Sequence, residues 1–154
     1  MSSRFLAGID GGSRGNPGLA AWGVVLLDEA GRPVEGYAGT IGRATNNVAE
    51  YSALLEALAL AASRGADDVS LLADSELVVK QLRGEYKVRH PDLVPLHAEA
   101  RRRASAFPRF RIAHVPRERN KDADKLVNRV LDMAETSASD APVRFHEVFE
   151  TQER

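Results

Sequence analysis

The chain has 154 residues, of which 44% are hydrophobic and 28% charged, and its formal net charge is −1. This length and composition predict one globular domain, and no apolar run approaches the roughly 20 residues that a membrane span needs. The sequence contains no cysteine, which excludes a disulfide framework and a thiolate metal site. Residues 1–4 lead into a strand-like segment without the apolar core of a secretory signal, so we expect a cytoplasmic location.

The charges are unevenly distributed along the chain. Residues 79–125 hold 13 of the 21 lysines and arginines but 6 of the 22 acidic residues, a local charge of +7 that leaves −8 elsewhere. Such a division is typical of a phosphate-binding face beside a metal-binding centre. It is equally typical of a solvated helix surface, and charge alone does not decide between them.

The first third of the chain predicts a three-stranded antiparallel meander followed by a helix. Strands are expected at 5–9, 20–27 and 34–41, between turns rich in Gly, Pro and Asp. Large apolar side chains then recur at helical spacing over 47–62, with Thr45 or Asn46 available as the N-cap.

The remaining elements alternate between helix and strand. They are a strand at 69–73, a helix at 75–83, a helix at 93–106, a strand at 110–115 and a helix at 122–135. This order predicts an α/β fold with a mixed five-stranded sheet and helices on both faces.

The C-terminal segment has a different character. Residues 136–154 show no such periodicity and predict a polar, mobile tail after a domain that spans residues 1–135. The tail also contains apolar side chains that could dock, namely Val143, Phe145, Val148 and Phe149.

A carboxylate and a glycine-rich turn follow the first strand. Asp10 ends the strand, and the turn runs to Gly18 without the spacing of a P-loop or of a dinucleotide-binding loop. The glycines would let the backbone approach a bulky polyanion while Asp10 projects towards a metal. The alternative is a tight hairpin with a solvated aspartate.

Two further carboxylates accompany later element boundaries. Glu50 is expected in the first turn of a helix, where the helix dipole alone would explain it, but the adjacent Asn46 and Asn47 suit contacts with sugar hydroxyls and base edges. Asp74 ends a buried strand, and if that strand neighbours the first one, Asp10 and Asp74 emerge side by side. Their repulsion would be relieved by a divalent cation.

A fourth carboxylate lies where a cationic loop leads into the last helix. Asp124 is expected at the helix start, after a strand that ends near His114, which could donate a proton. Each carboxylate alone has an ordinary structural explanation. The series of strand-end Asp, helix-start Glu, strand-end Asp and helix-start Asp is much more specific.

With these motifs in order, residues 4–135 resemble type I ribonuclease H. The matching segments are Asp10 to Gly18, Thr45 to Glu50, Ala73 to Ser75 and Asn120 to Leu126. The resemblance implies the ribonuclease H-like fold and metal-dependent cleavage of the RNA strand of RNA/DNA hybrids.

The resemblance also assigns residues to roles. Asp10, Glu50, Asp74 and Asp124 would bind metal and catalyse, and His114, ten residues before Asp124, would assist proton transfer and product release. The expected substrate contacts are Gly11, Gly12, Ser13, Asn16, Asn46, Asn47, Ser75 and Asn120.

The expected cofactors are two Mg²⁺ ions, with Mn²⁺ as a substitute. One ion would activate water and the other would stabilise the departing 3′ oxygen, giving 5′-phosphate and 3′-hydroxyl ends. We expect a monomer without organic cofactor or membrane partner. The alternatives are a hybrid-binding module that does not cut, and a related nuclease for double-stranded RNA or DNA junctions. Four carboxylates argue against the pure binder, because they repel a polyanion.

The sequence departs from the family at two places. Glu76 stands where the family usually has glutamine, and the segment after Leu82 is short where longer members carry an additional helix and a basic protrusion. Compact bacterial and archaeal members look like this chain. The substrate would then be held by other basic residues, namely Lys80, Arg83, Lys87, Arg89 and the run Arg101-Arg102-Arg103.

Overall fold

A computed structural model describes residues 3–150. Its elements, in chain order, are β1 (Arg4–Gly15), β2 (Gly18–Leu27), β3 (Pro33–Ala44), α1 (Asn46–Ser63), β4 (Asp68–Ala73), α2 (Glu76–Leu82), α3 (Val94–Ala104), β5 (Arg109–His114), a 3-10 turn (Arg117–Arg119), α4 (Lys121–Glu135) and β6 (Arg144–Val148). The predicted order of strands and helices is confirmed.

The sheet is mixed, as predicted. Its strand order is β5-β4-β1-β2-β3-β6, in which β1, β2 and β3 form the antiparallel meander. β4 runs parallel to β1, and β5 runs parallel to β4. Since Ile9 pairs with Ala73 and Ala73 with His114, the carboxyl ends of β4 and β5 meet β1 just before Asp10.

The sheet has six strands, so the predicted number of five is corrected. The additional strand, β6, lies in the segment expected to be a mobile tail and pairs antiparallel with residues 35–39 of β3. Phe145 packs with the residues of α4, and the guanidinium of Arg144 lies 5.3 Å from the ring centre of Trp22. Local periodicity did not reveal β6, because its five residues are held by contacts with β3 and α4, which are distant in sequence.

Helices cover both faces of the sheet, in agreement with the prediction. On one face, α1, α2 and α3 share a core in which Tyr51, Leu54 and Leu58 are fully buried. On the other face, α4 packs Val127 and Val130 against β2. Among the described residues, no helix combines the length and apolar character needed to cross a membrane.

Candidate active site

Four acidic side chains converge where β1 passes the end of β4. The carboxylate oxygens of Asp10, Glu50 and Asp74 lie within 4.8 Å of one another. Asp124, in the first turn of α4, lines the same cavity and is close enough to hydrogen-bond to Asp10. Asp10 is not the end of its strand, since β1 continues to Gly15; it lies where the pairing of β1 with β4 stops.

Glu50 lies deeper in α1 than the sequence indicated. Thr45 is the N-cap, its hydroxyl accepting a hydrogen bond from the Val48 N–H at 3.3 Å, so Glu50 is the fifth helical residue. The first turn of α1 contains no acidic residue. The helix dipole, which acts within the first turn, therefore does not explain this glutamate.

Gly11 brings α1 close enough for Glu50 to reach the cluster. A Cβ at this position would overlap the carbonyl oxygen of Ala49 and lie 2.5 Å from the backbone nitrogen of Glu50. Any other residue would push β1 and α1 apart. This close packing is a structural reason for one glycine of the motif, independent of any contact with substrate.

Crowding and burial disfavour the fully ionised form of the four carboxylates. Burial raises the pKa of Asp10 to about 8, and repulsion from Asp74, Asp124 and Glu50 adds to this. Burial also raises the pKa of Glu50 to about 7, aided by Asp74 and opposed by a hydrogen bond from Ser75 and by the charge of Arg117. Hard oxygen ligands that repel one another suit a hard divalent cation such as Mg²⁺, so the residues fit the expected metal.

The cluster lines an open, mainly polar cavity of about 500 Å³. Of the expected substrate contacts, Gly11, Gly12, Ser13 and Asn46 line it. The cavity wall also includes side chains that the sequence did not single out for it, Arg14 and Asn128. Asn128 lies four residues after Asp124 and therefore on the same face of α4, so helical spacing could have identified it.

The residues expected to contact substrate are partly tied to one another. The backbone N–H and the hydroxyl of Ser13 donate to Oδ1 of Asn46 at 2.8 and 3.1 Å. The backbone N–H of Asn46 donates in turn to Oδ1 of Asn16 at 3.0 Å. These contacts fasten the β1–β2 hairpin to the start of α1, and among the described residues the Asn46 amide N–H groups make no hydrogen bond. Asn47 is half-buried beside them, and Ser75 caps α2.

The structure does not place Asn120 at the cavity. The side chain is only 5% exposed, and its amide donates to the carbonyl of Ile9 at 2.8 Å. Its Oδ1 fills the space in which a Cβ of Gly8 would lie. Asn120 therefore joins the start of α4 to β1, and the expected substrate contact finds no support in this position.

His114 is likewise set apart from the carboxylates. It is the exposed last residue of β5 and pairs with Ala73, whose side chain is in the core under α1. In the described structure it does not line the cavity, whereas Arg117 does.

Acidic neighbours form ion pairs with several of the basic residues that were expected to hold the substrate. Both Arg102 and Arg103 pair with Glu99, with Arg103 at 2.6 Å. The other pairs are Lys80 with Glu76 at 3.3 Å and Arg83 with Glu85 at 3.2 Å. Four of the seven basic residues expected to hold the substrate therefore already have an acidic partner.

A mixed sheet with acidic side chains gathered beside its strand ends is the architecture of the ribonuclease H-like fold. The model of the Reverse transcriptase-like family matches residues 8–130. The chain belongs to this family of ribonuclease H-like proteins.

Relatives with known names extend the comparison. The chain is 50% identical over 131 residues to a Ribonuclease HI of Halobacterium salinarum, an alignment that covers 85% of this chain and 66% of that protein. It is 47% identical over 131 residues to a bifunctional protein of Mycobacterium tuberculosis, with 84% of this chain covered. The chain spans only 36% of the length of that mycobacterial relative.

Solved structures share the fold closely. The crystal structure of RNase H1 from Halobacterium salinarum superposes with a TM-score of 0.82 at 49% identity, covering 86% of this chain and all of the other. LC11-RNase H1, in complex with an RNA/DNA hybrid, superposes with a TM-score of 0.80 at 40% identity, covering 86% of this chain and 99% of that one.

Proposed function

We propose that the protein hydrolyses the RNA strand of RNA/DNA hybrids in a metal-dependent reaction. The observation that carries the proposal is the trio of Asp10, Glu50 and Asp74, whose oxygens lie within 4.8 Å of one another in an open cavity. Support comes from the similar LC11-RNase H1, which is bound to an RNA/DNA hybrid in its structure.

The four carboxylates would hold the metal ions. When bound, two Mg²⁺ ions, or Mn²⁺ in their place, would supply an activated water and relieve charge on the departing 3′ oxygen, so that products carry 5′-phosphate and 3′-hydroxyl ends. Since the pKa of Asp10 is raised to about 8, the metal-free cluster retains a proton at neutral pH. Metal binding would release it.

The hairpin and the start of α1 would position the RNA strand. The backbone of Gly11 and Gly12, with Ser13 and Asn46, lines the cavity and can approach sugar and phosphate closely. The amide N–H groups of Asn46 would donate to acceptors of the hybrid. Asn16 is hydrogen-bonded to Asn46, Asn47 follows Asn46 in the chain, and Ser75 hydrogen-bonds to Glu50. All three are proposed as further contacts.

Arg117 is the better placed group to assist the leaving oxygen. It lines the cavity, and its charge already acts on Glu50. A guanidinium stabilises developing negative charge without giving up a proton. His114 stays a prediction for this role.

Outside the cavity, the hybrid would be held by cationic side chains of the α2–α3 region. Lys87, Arg89 and Arg101 are the candidates, because their neighbours in the basic segment are engaged by glutamates. We also propose that the protein is a cytoplasmic monomer without organic cofactor.

Four labelled substrates compared side by side test the function. The wild type and Asp10→Asn are incubated with RNA/DNA hybrid, single-stranded RNA, duplex RNA and duplex DNA, with Mg²⁺ or with a chelator. We expect cleavage of hybrid RNA by the wild type in Mg²⁺ alone. Cleavage of duplex RNA or DNA in preference to hybrid would favour the related nuclease, and metal-independent binding without cleavage would favour the binding module.

A further inference from the structure

We propose that Arg14 is a positioning residue that holds α4, and with it Asp124, at the distance from the other carboxylates that metal binding requires. This inference rests on the metal site of the proposed function. Nothing in the chemistry of cleavage requires an arginine at this place, and its contacts indicate its role.

Arg14 reaches from β1 across to the outer part of α4. Its guanidinium Nη1 lies 2.8 Å from Oδ1 of Asp132 and 2.7 Å from Oε1 of Glu135. Its Nη2 donates to the backbone carbonyl of Asn128 at 3.2 Å. The side-chain amide of Asn128 donates to the backbone carbonyl of Asp124 at 3.1 Å. Arg14 is thereby connected to Asp124 in the active site.

The same hairpin is fastened to α1 on its other side. Ser13 bonds to Asn46, and strand alternation directs Ser13 and Arg14 to opposite faces of β1. The hairpin therefore lies between α1, which carries Glu50, and α4, which carries Asp124. Its two fastenings set the spacing of these two carboxylates.

Asp124 depends on this arrangement more than the other three carboxylates do. Asp10 and Asp74 follow from the pairing of β1 with β4, and Glu50 from the tight contact of α1 with Gly11. The start of α4 is anchored by Asn120 on Ile9, and its apolar face packs on β2 and β3. Because apolar packing is non-directional, it fixes the position of a helix less sharply than hydrogen bonds do. Arg14 adds polar contacts about two to four turns beyond Asn120.

A direct contact of Arg14 with substrate phosphate is the competing role, because the residue also lines the cavity. Two carboxylates within 2.8 Å already occupy the guanidinium, and a phosphate would have to displace them. The observed contacts therefore favour positioning over phosphate binding.

Calorimetric titration of the full chain with Mg²⁺, in the absence of nucleic acid, tests the inference. We expect Arg14→Ala to weaken Mg²⁺ binding about fivefold, the loss associated with a partly exposed ion pair, and Arg14→Lys to lie between it and the wild type. The reciprocal exchange Arg14→Glu with Glu135→Arg keeps the net charge and rebuilds the pair in reverse. The exchange variant should recover most of the wild-type affinity for Mg²⁺.

Arg129→Ala is the matched control. Arg129 is on the same helix and pairs with Glu147 of β6 at 3.0 Å, so its removal costs a similar ion pair without loosening the hairpin. We expect an unchanged dissociation constant for Mg²⁺. Equal weakening by Arg129→Ala and Arg14→Ala would overturn the proposal, since it would show a general effect of destabilising α4.

Two further outcomes would also overturn it. One is a wild-type Mg²⁺ affinity in folded Arg14→Ala, and the other is an exchange variant that folds but binds Mg²⁺ no better than Arg14→Glu alone. Hybrid affinity measured in chelator detects the phosphate role: a loss there with Mg²⁺ binding intact would reassign Arg14 to substrate. A wild type that binds Mg²⁺ but cuts no hybrid would reject the proposed function and leave this inference standing.

Discussion

Replacement of Asp10 by asparagine is expected to stabilise the metal-free protein while abolishing cleavage. The pKa of Asp10 is raised from 3.8 to about 8 by burial and by its acidic neighbours. At about 1.4 kcal/mol for each pH unit, this corresponds to an upper limit of about 6 kcal/mol of destabilisation by the ionised group. The neighbouring carboxylates titrate together with Asp10 and water enters the open cavity, so we expect a gain of about 1 to 3 kcal/mol, or about 3 to 10 °C in Tm.

The effect has a defined pH dependence. Between pH 4 and pH 8 the folded state binds more protons than the unfolded state, so the stability of the metal-free wild type falls as the pH rises through this window. The advantage of Asp10→Asn should therefore be largest near pH 8 and vanish near pH 4. Mg²⁺ should reverse the order, because it binds the intact cluster more tightly.

Thermal unfolding in chelator across this pH range is the assay. Asp140→Asn, which removes the same charge from an exposed position in the C-terminal segment, is the control and should leave Tm unchanged. An Asp10→Asn variant that is no more stable than the wild type at pH 8 would refute the view that these carboxylates repel one another in the folded chain.

Three further predictions concern residues around the cavity. Arg117→Ala should lower kcat about 100-fold, whereas His114→Ala should have a much smaller effect. A larger loss of the single-turnover rate for His114→Ala than for Arg117→Ala would assign the leaving-group role to His114. Asn120→Ala should cost about 1 to 3 kcal/mol in urea unfolding, because it removes a buried hydrogen bond, and hybrid affinity corrected for folding should stay constant. Replacing residues 101–103 with alanine should make the salt dependence of hybrid binding shallower by about one charge rather than three, because Glu99 pairs with two of the arginines. A decrease of three charges would show that substrate displaces Glu99.

Spacing along the chain was sufficient to predict most of the fold and the acidic cluster. The period of apolar residues identified the meander and the four helices, because each buries one face. Asp10 and Asp74 could be paired from sequence because each was expected at the end of a short buried strand. The structure confirms that these strands are parallel neighbours.

The remaining features depend on contacts between distant segments. β6 is stabilised by pairing with β3 and by packing of Phe145 near α4, neither of which leaves a local pattern. Asn120 belongs to a conspicuous motif, yet its burial against Ile9 follows from where α4 meets the sheet. The sequence indicates that a strand ends near His114, but the 3-10 turn that follows, rather than the strand end, brings Arg117 to the cavity.

The most direct test of the central claim uses a hybrid with distinguishable labels on its RNA and DNA strands. Wild-type protein is added with Mg²⁺, with chelator, or as the Asp10→Asn variant, and both strands are followed over time. The proposed function predicts internal cuts in the RNA strand, with 5′-phosphate ends, by the wild type in Mg²⁺ alone, while the DNA strand stays intact. An RNA strand that survives in Mg²⁺ and in Mn²⁺, or equal cutting by Asp10→Asn, would contradict it.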